Sequence, residues 1–224
     1  MLSTCGGGGG GSASPSGPVA STLPFPLQSA YNTFVANGLS KSFTISGTCS
    51  GTGNQAQAPA TTASTFEGVA GFSATSSITM SLINCTPSSL AQSLTGYWDS
   101  NYVPLGYNTG ASDVAPNYAV YQTPPSIPTS VTVGGTGIIG TQTLYTSSTK
   151  ATDFGTMILS YIMEADTSTT AIVNLISKTY NTSDTLLWTN QERWRISSTG
   201  VLTLLSQDIQ YSNGSAMHLI LTYN

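Results

Sequence analysis

The one histidine of this chain, His218, is the residue best suited to acid–base chemistry. Asp208 lies in the preceding segment of alternating polar and apolar residues, so pairing of the two segments as strands would place both side chains on one face. A His–carboxylate pair is part of a Ser-His-Asp triad. However, the chain has no Gly-x-Ser-x-Gly motif, and Ser206 on a regular strand is poorly presented as a nucleophile. A solvated polar sheet face is the alternative interpretation, and we predict no catalytic residue.

Aromatic residues indicate a possible binding surface. They are dense between residues 97 and 107, where Asp99 and Asn101 are interspersed among them. Aromatic rings beside polar loop residues suit stacking on a carbohydrate or contact with a protein, although strands also use such rings for core packing. The candidate ligand-binding residues are Trp98, Tyr102, Tyr107, Trp188 and Trp194.

The acidic residues do not form a recognisable metal motif. Glu164 and Asp166 end a predicted strand, but the Asp-x-Asp-x-Asp-Gly spacing of a calcium loop is absent. No pair among the nine acidic residues stands out for glycoside hydrolysis. We predict neither a metal nor a cofactor. Arg193 and Arg195, predicted to lie beside Asp208, are expected to form surface ion pairs.

These side chains must be positioned by a mainly β fold. One helix is predicted at about residues 26–37, because apolar residues recur at helical spacing, Pro26 suits the first turn and Gly38 suits the end. From residue 130 onward, alternation and short turns predict an antiparallel meander, beginning with strands over residues 130–134 and 137–146. Residues 54–64 are predicted as a loop and residues 108–129 as a long irregular connection.

The register of the last strands follows from keeping apolar residues on one face. A two-residue Thr199-Gly200 turn sets Trp188 opposite Tyr211 and Trp194 opposite Leu205. A loop from Asn213 to Ser215 sets Ile209 opposite Leu219. The same register puts Glu192 opposite Gln207 on the apolar face, where it would line a wet cavity or end a strand. The predicted fold is a large antiparallel meander sheet or a partly closed barrel, packed against the N-terminal helix.

The first residues carry a family resemblance. Leu2-Ser3-Thr4-Cys5 resembles the lipobox of bacterial lipoproteins, and six glycines follow it. The chain is similar to uncharacterised β-rich lipoproteins of Gram-negative bacteria that begin Cys-Gly-Gly-Gly. The resemblance implies that Cys5 is lipidated and that residues 1–5 are the remnant of a signal peptide. Gly6 stands where the family's inner-membrane retention signal would have aspartate, which implies the outer membrane.

The remaining cysteines agree with an exported protein. With Cys5 lipidated, Cys49 and Cys85 form an even pair in an oxidising compartment, and we expect a disulfide between them. It would close a loop of about 35 residues and contribute on the order of 3–4 kcal/mol in the chain-entropy model. Two buried free thiols are the alternative.

Composition limits the partners and the domain count. Five basic residues against nine acidic ones argue against nucleic acid, which needs clustered Lys and Arg. Charged residues make up only 6% of the chain, so Ser, Thr, Asn, Gln and Gly supply its polarity. We predict a flexible Gly/Ser/Pro tether over residues 6–23 and a single β-rich domain over residues 24–224.

The sequence therefore predicts a lipoprotein of the cell envelope, attached to a membrane by its lipid, with a non-catalytic binding or structural β domain. One alternative is a periplasmic carrier of a lipid or other apolar ligand, which requires an internal cavity lined by residues such as Trp188 and Trp194. The other is a hydrolase using His218 and Asp208, which requires this pair to lie in a concave pocket beside a nucleophile.

Overall fold

The computed structural model describes residues 17–110, 116–212 and 217–224. Within these ranges the chain forms one α-helix and thirteen β-strands. In chain order the elements are α1 Leu27–Asn37, β1 Leu39–Gly47, β2 Ser50–Gln57, β3 Thr62–Phe66, β4 Val69–Ile83, β5 Ser89–Asp99, β6 Pro104–Asn108, β7 Tyr118–Tyr121, β8 Thr136–Tyr145, β9 Asp153–Ala165, β10 Thr170–Asn181, β11 Leu186–Ser197, β12 Leu202–Tyr211 and β13 His218–Tyr223.

The strands close into an antiparallel barrel. From β4 to β13 each strand pairs with the next, β13 pairs with β1, and β2 pairs with both β1 and β4 to complete a ring of twelve strands. The remaining strand, β3, pairs with the first part of β4. The predicted mainly β fold with one N-terminal helix is confirmed, and of the two predicted forms it is the barrel that the chain adopts. Closure gives the polar backbone groups of both terminal strands a partner.

Alternation along each strand separates the inside of the barrel from the outside. In β4, Ala74 and Met80 are buried on the inner face, whereas Thr75 and Ser81 are exposed on the outer one. This period of two follows from the pleat of a strand. The outer face is thus rich in hydroxyl groups, and the inner face carries the main core, which includes Phe43, Ile45, Met163, Val173, Trp194, Ile196, Leu204 and Leu221.

Helix α1 covers one end of the barrel, with Leu27, Ala30 and Val35 buried. Its first turn lies under the β11–β12 turn, and at its last turn the Val35 carbonyl accepts a 3.0 Å hydrogen bond from the Ala60 amide. Gly38 ends the helix with φ +74°, a left-handed conformation that favours glycine. None of the helical segments in the described ranges has the length and apolar character of a transmembrane helix.

The segment before the helix crosses the same end of the barrel. Val19 pairs with Asp166, and Phe25 pairs with Val131. The buried Ser21 hydroxyl donates to the Ser168 carbonyl at 2.9 Å. Ordered contacts therefore begin before the predicted domain start at residue 24. The lipobox residues Leu2 to Cys5 and the glycines after them lie outside the described residues.

Three predicted boundaries are wrong. Residues 54–64 are not one loop, because β2 extends to Gln57 and β3 begins at Thr62. The connection over residues 108–129 contains β7, Tyr118–Tyr121, between β6 and β8. Conversely, residues 130–134 are not a strand and make only the isolated bridge at Val131. β2 and β7 each pair with a strand on both sides in the closed ring, and β3 pairs with β4, so the pairing defines these strands where the sequence pattern did not.

The predicted register of the last strands is correct from Trp188 to Arg193 but wrong from Trp194 to the β11–β12 turn. The Ser197 amide donates to the Val201 carbonyl at 3.0 Å, so the turn has three residues and not the predicted two. Trp188 pairs with Tyr211, Glu192 with Gln207, and Ile209 with Leu219. Trp194, however, lies opposite Leu204 rather than Leu205, because the register shifts between Arg193 and Trp194. An extra residue on one strand of a pair is a β-bulge, which alternation alone does not reveal. The predicted loop from Asn213 to Ser215 lies outside the described residues.

The two expected disulfide partners lie side by side. Cys49 follows β1 and Cys85 follows β4, with Cα atoms 5.8 Å apart and the sulfur atoms within bonding distance. Cys49 is only 2% exposed. The pair links two strand ends at the edge of the barrel opposite α1.

Candidate functional site

The His218–Asp208 pair forms, but on the outside of the barrel. The imidazole Nε2 lies 2.9 Å from Asp208 Oδ1, and 43% of the His218 side chain is accessible. Gln210 also donates to this carboxylate, at 3.1 Å. The pair lies on the convex outer face of β12 and β13, so it lacks the concave pocket that the hydrolase alternative requires.

The two neighbouring arginines pair with other acids than we predicted. Arg193 bonds to Glu164, and Arg195 bonds to Asp166 through Nε at 2.7 Å. Neither pairs with Asp208, because the side chains reach across β10 to β9. The Arg195 guanidinium lowers the pKa of the Asp166 carboxyl. Both are surface ion pairs, which contribute at most about 1 kcal/mol each.

The inside of the barrel, called the lumen here, has a closed half and an accessible half. Next to α1, the inward residues of β11 are buried, with Trp194 5% and Ile196 0% exposed. Farther from α1, the inward residues of β11 and β12 keep part of their surface accessible, whereas Thr179 of β10 and Leu219 of β13 beside them are buried. This accessible half is lined by Trp188, Asn190, Glu192, Ile209 and Tyr211. A barrel of about eight strands is filled by its own side chains, and a twelve-stranded ring is wider.

All three tryptophans of the chain lie on the inner face. The Trp98 indole donates to the Tyr31 hydroxyl at 2.8 Å. The Trp194 ring meets Phe34 of α1 edge to face, with centroids 4.9 Å apart. The ring centroids of Trp188 and Tyr211 are 6.2 Å apart in the accessible half. The lumen is therefore lined with rings at both depths.

Glu192 is a carboxyl group inside this aromatic lining. Trp194 Nε1 donates to Oε2 at 3.2 Å, and Asn190 Nδ2 approaches Oε1 at 3.5 Å. Burial raises the pKa of the Glu192 carboxyl because the charged form loses hydration, and the two hydrogen bonds only partly offset this effect. No ion pair reaches Glu192 among the described residues.

Several polar atoms inside the barrel have no partner. Within the part of the chain that the structure describes, these inward atoms are Asn190 Oδ1, Gln142 Oε1, Thr179 Oγ1 and Gln57 Nε2. Gln142 is 4% and Thr179 0% exposed. A buried polar group without a partner costs about 1–3 kcal/mol and is rare in folded proteins. A bound molecule or bound water would remove this cost.

Tyrosines form the remaining wall. Burial raises the pKa of Tyr31 and of Tyr107 to about 12. It also raises the pKa of Tyr121, whose hydroxyl interacts with the Gln142 amide. These phenols stay neutral at ordinary pH, so they act as hydrogen-bonding groups and as ring surfaces.

Four of the five predicted ligand-binding residues lie on the inner face of their strands. The four on the inner face are Trp98, Tyr107, Trp188 and Trp194. Trp98 also belongs to the smaller core cluster under α1, in which Tyr102 stacks on Phe72 with ring centroids 5.5 Å apart. Sequence reasoning missed Tyr31, Asn190 and Gln142. The pattern Trp188-x-Asn190-x-Glu192-x-Trp194, polar residues on an otherwise aromatic face, could have indicated the first of the two amides.

Comparisons with protein families, with curated proteins and with solved structures find no match for this chain. In the described ranges, no three His, Cys, Asp or Glu side chains are grouped in a way that could hold a metal ion.

Proposed function

We propose that this chain is a non-catalytic binding protein of the cell envelope whose barrel lumen holds a small ligand with an apolar body and hydrogen-bonding groups. The observation that carries the proposal is the set of unpartnered polar atoms inside an aromatic wall. Ligand pockets typically combine a mostly apolar lining with a few convergent polar groups. The lumen has this composition, and the outer His218–Asp208 pair does not.

The polar groups distinguish this ligand from a plain hydrocarbon chain. An acyl chain beside Glu192 and Asn190 would leave the carboxyl and the amide without new partners, which is unfavourable in a desolvated site. Carriage of a lipid or other wholly apolar ligand, the alternative that requires an internal cavity, is thus less compatible with this lining. A ligand that offers both ring or alkyl surface and donor groups fits it better.

A fluorescent probe tests binding in the lumen. N-phenyl-1-naphthylamine is neutral and becomes bright in apolar surroundings, and bound inside the barrel it would accept excitation energy from the three tryptophans. We expect saturable binding to the purified full chain, weakened several-fold by Trp188→Ala. Ile138→Ala is the matched control, because this side chain is 68% exposed on the outside.

Two results would count against the binding proposal. One is probe fluorescence that rises without saturation. The other is an equal loss of binding in Trp188→Ala and Ile138→Ala, which would indicate attachment to the surface. Circular dichroism of both variants ensures that a folded barrel is compared in each case.

The envelope location rests on the resemblance at Leu2 to Cys5 and is supported by the paired Cys49 and Cys85. We expect the chain, expressed behind a functional lipoprotein leader in a Gram-negative host, to incorporate radiolabelled palmitate and to fractionate with membranes. Cys5→Ser should abolish both. Label retained in Cys5→Ser, or no label in the original chain, would contradict lipidation at Cys5.

A further inference from the structure

We infer that the lumen ligand is an organic cation, an amine or quaternary ammonium compound with an apolar body, and that Glu192 is its counter-charge. This inference rests on the proposed binding function and specifies its ligand class. It follows from three features of the site: the rings around Glu192, the absence of a protein cation beside it, and the surplus of hydrogen-bond acceptors.

The first feature is the aromatic surroundings of the carboxyl. Trp194 donates to Glu192, and the ring of Trp194 is itself in contact with Phe34 of α1. Tyr31 of α1 and Tyr223 of β13 are close enough to interact electrostatically with Glu192. Cations are attracted to the faces of aromatic rings, and recognition of quaternary ammonium groups by rings is a recurrent use of this attraction.

The second feature is the charge balance. The chain has five Lys and Arg residues, and three of them neutralise acids on the outer surface, namely Lys150 with Glu67, Arg193 with Glu164 and Arg195 with Asp166. Lys178 is exposed, and the Lys41 ammonium donates to the Asn224 carbonyl. In the described ranges Glu192 thus has no positive partner, and a ligand is the remaining source of one.

The third feature is the type of atom left unpartnered. Asn190 uses its donor group on Glu192, which leaves its Oδ1 as a buried acceptor near the carboxylate. Gln142 Oε1 is a second unpartnered acceptor on the inner face. Among the described residues, Gln57 Nε2 is the one unpartnered inward group that can only donate, and the Thr179 hydroxyl can donate or accept. A protonated amine, which carries both a positive charge and N–H donors, complements this set, whereas a quaternary ammonium group would match only the charge and the rings. An anion would face a carboxylate and unpaired carbonyls.

The decisive experiment compares two probes of the same shape. Phenyltrimethylammonium and tert-butylbenzene differ in one central atom, nitrogen with a positive charge against neutral carbon. Binding to the full chain is measured by quenching of the three lumen tryptophans and, independently, by calorimetry. We expect the cation to bind more tightly than the neutral probe by at least about tenfold, since a buried ionic contact is involved.

Variants assign the preference to one carboxyl. Glu192→Gln keeps the size and an acceptor but removes the charge, so it should abolish the preference for the cation over tert-butylbenzene. Asp208→Asn removes a carboxylate from the outer face and should leave both affinities unchanged. A preference that survives in Glu192→Gln would overturn the inference.

A pH series tests the same point without a variant. The titratable groups facing Glu192 are Tyr31 from α1 and Tyr223 from β13, whereas β10 and β12 present the non-titrating Leu175 and Gln207. Both phenols stay neutral, since burial raises their pKa values. Affinity for phenyltrimethylammonium should therefore rise as pH increases above about 4.5 and Glu192 ionises, while affinity for tert-butylbenzene stays constant.

The outcomes distinguish failure of the cation inference from failure of the proposed binding function. Saturable binding of tert-butylbenzene with equal or weaker binding of the cation, at every pH, overturns the cation inference and leaves the binding function standing. Failure of both probes, together with failure of N-phenyl-1-naphthylamine, removes the binding function and this inference with it.

Discussion

The indole Nε1 of Trp194 donates a hydrogen bond of 3.2 Å to Glu192 Oε2 inside the barrel. Glu192 and Trp194 are two residues apart on β11, so both side chains point to the inner face of the strand. The tryptophan is 5% exposed, and a buried indole N–H usually has a hydrogen-bond acceptor, which Glu192 provides here. The Glu192 carboxyl thus holds the Trp194 ring in place by this hydrogen bond, and it is also the acidic group of the lumen.

Glu192 should make the fold less stable at higher pH. Burial raises the pKa of its carboxyl above the value of 4.5 expected when unfolded, so the folded state retains the proton over a wider range. The stabilising contribution is complete below the unfolded pKa and is lost as pH rises through the folded one. Glu192→Gln should remove this loss, so the variant gains stability relative to the original chain as pH increases.

Urea unfolding of both chains across pH measures this difference. Glu164→Gln is the matched control, because Glu164 lies on the outside and bonds to Arg193. Parallel stability curves for the original chain and Glu192→Gln would show that the carboxyl is not desolvated in solution.

The Tyr31 hydroxyl ties helix α1 to the barrel wall. It accepts the 2.8 Å bond from Trp98, whose side chain has no other described acceptor and which is 7% exposed. Tyr31→Phe leaves a buried N–H unpaired and should lower the free energy of unfolding by about 1–3 kcal/mol. A double-mutant cycle with Trp98→Phe measures the pair, and additive effects would exclude a direct interaction.

Gly53 allows the Phe43 ring to lie against the wall between β1 and β4. A Cβ at residue 53 would collide with the Phe43 ring and with the Thr79 carbonyl. Gly53→Ala should therefore lower the free energy of unfolding by about 1–3 kcal/mol through overpacking. Gly17→Ala is the control, since nothing lies within 4 Å of its added carbon. Equal stability of the two variants in thermal unfolding would contradict this packing.

The Cys49–Cys85 pair should stabilise the barrel edge. The two residues are 36 positions apart, so a bond between them restricts the unfolded chain by on the order of 3–4 kcal/mol in the chain-entropy model. We expect Cys49→Ser with Cys85→Ser to lower the urea midpoint, and a reductant to lower it only in the original chain. Reductant sensitivity in the double variant would point to another cause.

Local pattern was sufficient for much of the fold. Helical spacing from Leu27 to Val35, the alternation of the last five strands and the placement of Glu192 opposite Gln207 all depend on neighbours in sequence or on short turns. The residue-by-residue period of two is local, so alternation also predicted which face of β11 carries the tryptophans. The sequence also predicted the pairing of Cys49 with Cys85, because these are the only two cysteines left once Cys5 is assigned to the lipid anchor.

Tertiary structure decided the rest, since it depends on contacts between residues far apart in the chain. Closure of the ring requires β2 to meet β4 and β13 to meet β1, and no local signal encodes those pairings. Closure turns one face of the meander into a lumen, and it brings Tyr31 and Tyr223 from the two ends of the chain to Glu192. The bulge beside Trp194 likewise depends on the pairing of β11 with β12, and β7 is defined by its pairing with β6 and β8.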